Sequence, residues 1–198
     1  MADSLQRPSP GARTLVTRMV RASKIDPSLF AEVESDRDAS AQAAVVVMLA
    51  ALANAVSIAG APLAMLALGA LAALVGWLLF ASAIYLIGAK LLPESGTRPD
   101  FGALLRAVGF ANAPGMLKLL GVVPGLREPV FFVATVWVFV ATVTAVRHAL
   151  SYTSAWRAVG VCAVPLLASY LLLLSLVSSV GDAPPSGPGA DEPPVVLP

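Results

Sequence analysis

Three residue classes are scarce in this chain, and each scarcity closes a chemistry. Cys162 is the single cysteine, so no intrachain disulfide and no cysteine-ligated metal cluster can form. In its apolar surroundings it reads as a small packing residue rather than a reactive thiol. His148 is the single histidine, which excludes a multi-histidine metal site within one chain. Beside Arg147 it reads as an interfacial loop residue rather than a proton relay. Charged residues make up 13% of the chain, against about 25% in ordinary soluble domains. A net charge of +1 with no basic patch gives nothing with which to displace the counterions of a nucleic acid. The sequence also lacks a Ser-His-Asp set, HExxH, a P-loop, GxGxxG and any carboxylate inside an apolar run, so no enzyme activity and no cofactor are expected.

What remains is apolar: 58% of residues are hydrophobic and the mean hydropathy is +0.82. From Ala39 to Ala89 no Asp, Glu, Lys, Arg or His interrupts the chain. About 20 apolar residues make one helical crossing of a bilayer whose hydrocarbon is about 30 Å thick, so this stretch has room for two. Gly60-Ala61-Pro62 marks the turn between them. The first span runs from about Ser40 to Gly60, with Ala51, Ala55 and Ala59 on one face and Ala53, Ser57 and Ala61 on another. Small faces favour close pairing, within the fold or between copies as a homo-oligomer. Asn54 is the polar exception and reads as a helix-to-helix hydrogen bond. The second span covers about Leu63 to Leu92.

Residues 107–126 are apolar but interrupted by Asn112, Pro114, Gly115, Lys118, Gly121, Pro124 and Gly125. Two readings fit: one bent crossing, or two half-helices that enter and leave on the same side. Broken helices near a lysine also build transporter sites, whereas a satisfied kink with a snorkelling lysine explains the same letters. Residues 129–146, uncharged between Glu128 and Arg147, give a clear crossing. The last span runs from Ala158 to about Val180, and Pro165 should kink it unless it falls in the first turns.

Ahead of the spans, Leu15, Val16, Met19 and Val20 recur at helical spacing among Arg13, Arg18 and Arg21. This basic amphipathic helix either packs on its own membrane domain or lies on anionic lipid. Asp26-Pro27 supplies an N-cap and a first-turn proline for a second helix. Leu29, Phe30 and Val33 form its apolar face, while Glu32, Glu34, Asp36 and Asp38 read as a solvated acidic face. Leu15, Arg18, Met19, Arg21 and Phe30 are therefore the candidate contacts to membrane or partner. Asn54, Asn112, Pro114, Lys118 and Pro165 are the candidate intramembrane polar or kink positions. Asp100 or Thr97 can cap the helix after the second span. No apolar core separates Arg7, Arg13, Arg18, Arg21 and Lys24, so no cleaved leader is expected. Residues 1–11 and the Pro-rich, acidic tail after Gly181 read as disordered.

The positive-inside rule puts the N-terminus in the cytoplasm. Four crossings and five crossings both leave eleven basic residues inside and two outside, so charge cannot choose between them. The basic-free tail leans toward an external C-terminus.

At this point the chain resembles the Yip (Ypt/Rab-interacting protein) domain family, in its bacterial branch. The likeness is carried by Asp26-Pro27 with Phe30-Ala31-Glu32-Val33-Glu34, Gln42-Ala43, Gly76-Trp77 and Tyr85-x-x-Gly88. To these are added Leu105-Arg106-x-x-Gly109-Phe110-Ala111-x-x-Pro114, Pro124, Trp137, Ala145-Val146-Arg147-x-Ala149-Leu150 and Arg157-Ala158. The acidic-Leu-Tyr-Gly-Pro stretch of the eukaryotic branch is missing. What the resemblance implies is an architecture: an all-α integral membrane protein, a five-helix transmembrane bundle with a kinked third helix. It implies a cytoplasmic N-terminus and an external C-terminus. The expected organisation is a cytoplasmic amphipathic region at 1–38, a transmembrane domain at 39–180 and a tail at 181–198. The expected role is a multi-pass protein of the cell membrane that organises the membrane or anchors a protein partner at its N-terminal helices. A small transporter or channel subunit is the alternative.

Overall fold

The computed structural model describes residues 14–57, 62–94, 96 and 100–181. The polar start, the turn at Gly60-Ala61, Thr97 and the tail after Gly181 lie outside the described residues. No strand occurs among the described residues. Helix α1 (Leu15–Ser23) ends in a tight turn where Ile25 takes a left-handed conformation at φ 56°. That conformation is costly for a β-branched residue. It is held by Asp26 N–H donating to Arg21 O (3.1 Å) and by an Arg21–Asp26 ion pair (2.8 Å). Asp26 then caps α2 (Pro27–Ser35) through the Ser28 N–H at 2.9 Å, as the Asp-Pro signal predicts.

Helices α3 (Ala39–Val56), α4 (Leu63–Tyr85) and α6 (Arg127–Ala149) have apolar lengths that match a bilayer. A single π-turn, Leu86–Leu91, extends α4 to Leu91. Helix α5 (Phe101–Phe110) is capped by Asp100, as expected, and α7 spans Ala155–Gly181. Among the described residues, three helices are thus long and apolar enough to cross. Their outer faces carry exposed Leu63, Leu68, Leu79, Phe132 and Val136. Such contiguous apolar surface belongs in lipid rather than water. The protein is a multi-pass membrane protein.

The segment expected as a kinked third span is not one α-helix. Helix α5 stops at Phe110, and after a turn residues Ala113–Val122 form a 3-10 helix. Pro114 explains the switch, because it has no N–H to continue the α-helical ladder. Gly115 N–H donates to Asn112 O at 2.8 Å, three residues back, and the 3-10 pattern begins. The Asn112 amide closes the end of α5 on Val108 O at 2.9 Å.

Close approaches fix the direction of this broken segment. A Cβ built on Gly109 would lie 2.7 Å from Ala43, on Gly115 3.2 Å from Ala50, and on Gly121 3.4 Å from Ser57. The segment therefore runs alongside α3 in the same sense. It runs against α6 in the opposite sense, since Gly115 faces Val138 and Gly121 faces Phe131. Ten α residues rise about 15 Å and ten 3-10 residues about 20 Å.

Helices α1 and α2 pack on α5, α6 and the 3-10 segment, within the same compact unit as these spans. That unit ends at Pro165, and a second begins at Leu166. Pro165 lies inside α7 and not in its first turn. The second unit carries exposed Leu167, Tyr170, Leu171 and Leu174.

Candidate functional site

Arg18 and Arg21 fall three apart on α1, and Glu32 and Asp36 fall four apart along α2, so the tight turn brings the two faces together. The Arg18 guanidinium donates to Glu32 Oε1 (2.8 Å), Asp36 Oδ2 (2.6 Å) and Gln42 Oε1 (2.9 Å) and is 1% exposed. Arg21 donates to Glu32 Oε2 (2.6 Å), Asp26 Oδ2 and Ser28 Oγ. One carboxylate, Glu32, thus takes both arginines. Desolvation works against both guanidinium charges, but these hydrogen bonds outweigh it and raise their pKa values.

Of the two readings of α1, a helix packed on its own domain is the one seen, and the candidate contacts Arg18, Leu15, Met19 and Phe30 turn toward the fold. Arg18 and Phe30 are buried, and Leu15 and Met19 pack partly buried against the core. Arg21 is half-buried in its ion pairs. The outward residues of α1 are Val16 and Val20. Nor is the acidic face of α2 simply solvated, because Glu32 and Asp36 are the partners of α1. His148 is helical, in the last turn of α6, and its ring stacks on Phe30 with centroids 6.5 Å apart. The end of α1 is tied further along: Trp137, near the middle of α6, donates its Nε1–H to Ser23 O at 2.8 Å. Helix α1 is therefore seated along the side of the bundle.

Arg106 caps α2 from α5. Its Nε–H donates to Val33 O at 2.7 Å and its Nη2 to Glu34 O, satisfying carbonyls that the last turn of a helix leaves open. Glu34 Oε1 is buried beside it with no hydrogen-bond partner. Burial pushes the Glu34 carboxyl up to about 7; Arg106 opposes this rise and Asp100 adds to it.

A second polar contact closes the π-turn. Leu92 N–H donates to Ile87 O (2.8 Å), five residues back, which releases Gly88 O from the ladder. The Tyr152 hydroxyl lies 2.7 Å from Gly88 O and 3.2 Å from Leu92 O and fills that vacancy as donor. A Cβ on Gly88 would meet the Tyr152 oxygen at 2.8 Å and Leu150 at 2.6 Å, so only glycine permits this approach. Nothing in the composition of residues 150–154 marks Tyr152 as a fastener. The unusual turn it serves is invisible to helical periodicity.

Of the candidate intramembrane positions, the structure joins Asn112, Pro114 and Lys118 at the 3-10 segment. Asn54 makes no side-chain hydrogen bond to another helix among the described residues; its backbone carbonyl accepts from Ser57 Oγ at 2.6 Å. Lys118 is half-buried, with Nζ 5.5 Å from the centroid of the Phe131 ring. Arg127 approaches the same ring, with Cζ at 5.8 Å. Among the described residues no group of His, Cys, Asp and Glu is placed to hold a metal ion.

Several residues of the sequence pattern now have structural tasks. Trp77 Nε1–H donates to Leu105 O at 3.1 Å and lies against Gly109, while Arg147 donates to Tyr152 O and Thr153 O after α6 ends. A family model described as the Yip1 domain matches residues 25–176. No curated protein and no solved structure matches the chain.

Proposed function

We propose, starting from the fact that this chain belongs to the Yip1 domain family, that it is a non-enzymatic protein that organises its membrane or anchors a partner through its seated N-terminal helices. The observation that carries this reading is the buried Arg18 and Arg106 network, which holds α1 and α2 rigidly on the bundle. A fixed pair of helices presents a defined face. Val16 and Val20 of α1 are its lipid-facing residues, and the exposed Ala31 and Ser35 of α2 are its partner-facing residues.

The topology proposed is five crossings in the cell membrane, with a cytoplasmic N-terminus and an external C-terminus. The third crossing is α5 together with the 3-10 segment, whose combined rise of about 35 Å suits a hydrocarbon core of about 30 Å. Its course along α3 supports a passage through the bilayer over a return to the same side. Reporter fusions after Leu92, Leu126, Ser154 and Pro198 test this directly. A cytoplasmic Pro198 would refute five crossings.

For the role itself, a pull-down of the full chain from mild detergent should recover a specific protein. Ala31→Arg with Ser35→Arg should lose it while leaving Leu29, Phe30 and Val33 in the core. Recovery of nothing above background sinks the anchoring reading. A small transporter or channel subunit is the second reading, favoured by a lysine on an irregular crossing segment. It requires a solute or ion flux in reconstituted vesicles that Lys118→Ala abolishes.

A further inference from the structure

Two cations from different elements converge on one aromatic ring at the end of the bundle away from Arg106. Lys118 comes from the 3-10 segment and Arg127 opens α6, with Nζ and Cζ 5.5 and 5.8 Å from the centroid of Phe131. Lys118 lies between Gly115, which faces Ala50, and Gly121, which faces Ser57 at the close of α3. Its stem therefore starts inside the spanning length, and its ammonium reaches toward the rim. Among the described residues neither cation has a carboxylate within ion-pair distance. Glu128, next to Arg127 in the first turn of α6, is exposed and pairs with neither. A ring face orients a cation but carries no net charge, so it cannot neutralise two.

The surroundings narrow the class of anion that would fit. Leu119, Leu120, Phe132 and Val133 are exposed beside the two cations. A ligand that suits both features has an anionic head and apolar chains. A guanidinium fork matches phosphate oxygens in bidentate geometry, and an ammonium serves the same group as a point charge. We propose that Lys118 and Arg127, both drawn to the Phe131 ring, form a seat for the phosphodiester headgroup of an anionic membrane lipid, with its acyl chains along the apolar outer faces of the 3-10 segment and α6. The proposal rests on the reading that this end of the bundle meets a membrane surface.

The test uses the full chain in nanodiscs of phosphatidylcholine into which phosphatidylglycerol is titrated. Retained lipid is counted by native mass spectrometry after release into mild detergent. The protein should hold phosphatidylglycerol preferentially. Lys118→Met with Arg127→Gln, which keeps both stems, should weaken that affinity by about tenfold or more, the effect of losing one charged hydrogen bond. Lys24→Met, which removes the exposed lysine just after α1, should leave it unchanged, and Glu128→Gln should tighten it. Unaltered retention in the double variant, with an unaltered melting temperature to show that it folds, overturns the seat. So does displacement of the lipid by millimolar inorganic phosphate, which would mark a site for free anion. The reporter fusions read the crossings independently, so a failed seat and a failed topology give different patterns.

Discussion

Arg18 and Arg106 are 1% and 6% exposed, and they direct their hydrogen bonds to carboxylates, a glutamine and helix carbonyls of the same chain. Lys118 and Arg127, toward the other end of the bundle, have a phenyl ring and no carboxylate among the described residues. The difference separates two uses of positive charge in a membrane protein. Internal partners turn a cation into a fastener, whereas a cation with only an aromatic neighbour keeps its charge available. In the proposed topology Arg18 and Arg106 count toward the basic excess on the cytoplasmic side, yet both are held inside the fold.

The contrast breaks most visibly at Arg106. Arg106→Met orphans two helix carbonyls and removes the cation beside Glu34, so it should destabilise the protein by about 3 kcal/mol. Thermal unfolding in detergent reads this, and an unchanged midpoint would mean that α2 is held by its apolar face alone. Arg18→Met should cost roughly 2 kcal/mol, less because Arg21 still pairs with Glu32. Adding Asp36→Asn should recover part of that loss, because the carboxylate that loses its arginine is then neutral; a further drop would contradict the fastener assignment.

Glu34 sharpens the same end through pH. Its folded-state value of about 7 stands above the ordinary 4.5, so the folded protein binds the proton more tightly than the unfolded chain. Stability should therefore fall as pH rises through that interval and stay low above it. After allowance for solvent screening the loss is on the order of 1 kcal/mol. In Glu34→Gln the slope should vanish; a slope that persists assigns it to another group. The smallest effect belongs to the opposite end, where Lys118→Met removes only a cation–π contact, worth about 0.5 kcal/mol when part-exposed. A loss as large as that of Arg106→Met would show that Lys118 is a fastener too.

The elements legible in the sequence are those that local chemistry dictates. Asp26-Pro27 and Asp100 cap the helices they announce, and the uncharged stretches give α3, α4 and α6. Pro114 and the glycines around it announce an interruption, but periodicity could not distinguish a kink from a change of helix type. That depends on which carbonyl the Gly115 N–H selects. The N-terminal network was hidden for a different reason. Read singly, the basic face either packs on the fold or lies on lipid and the acidic face is solvated, and they become partners only through the left-handed Ile25 turn. Opposite charges at matching three- and four-residue spacing on adjacent short helices were the available signal. Trp137 and Tyr152 left no such trace, because the backbone carbonyls they serve carry no side-chain signature.

The seating of α1 and α2 also orders events during synthesis. Ser23 finds its Trp137 donor 114 residues further along, and Val33 waits 73 residues for Arg106. Helices α1 and α2 thus leave the ribosome before most of their docking partners exist, and until α5 and α6 are made their arginines and carboxylates have only one another, Gln42 and water. Docking of α1 and α2 can be completed only after α6 has been made, so it reports that the chain from α3 to α6 has arrived.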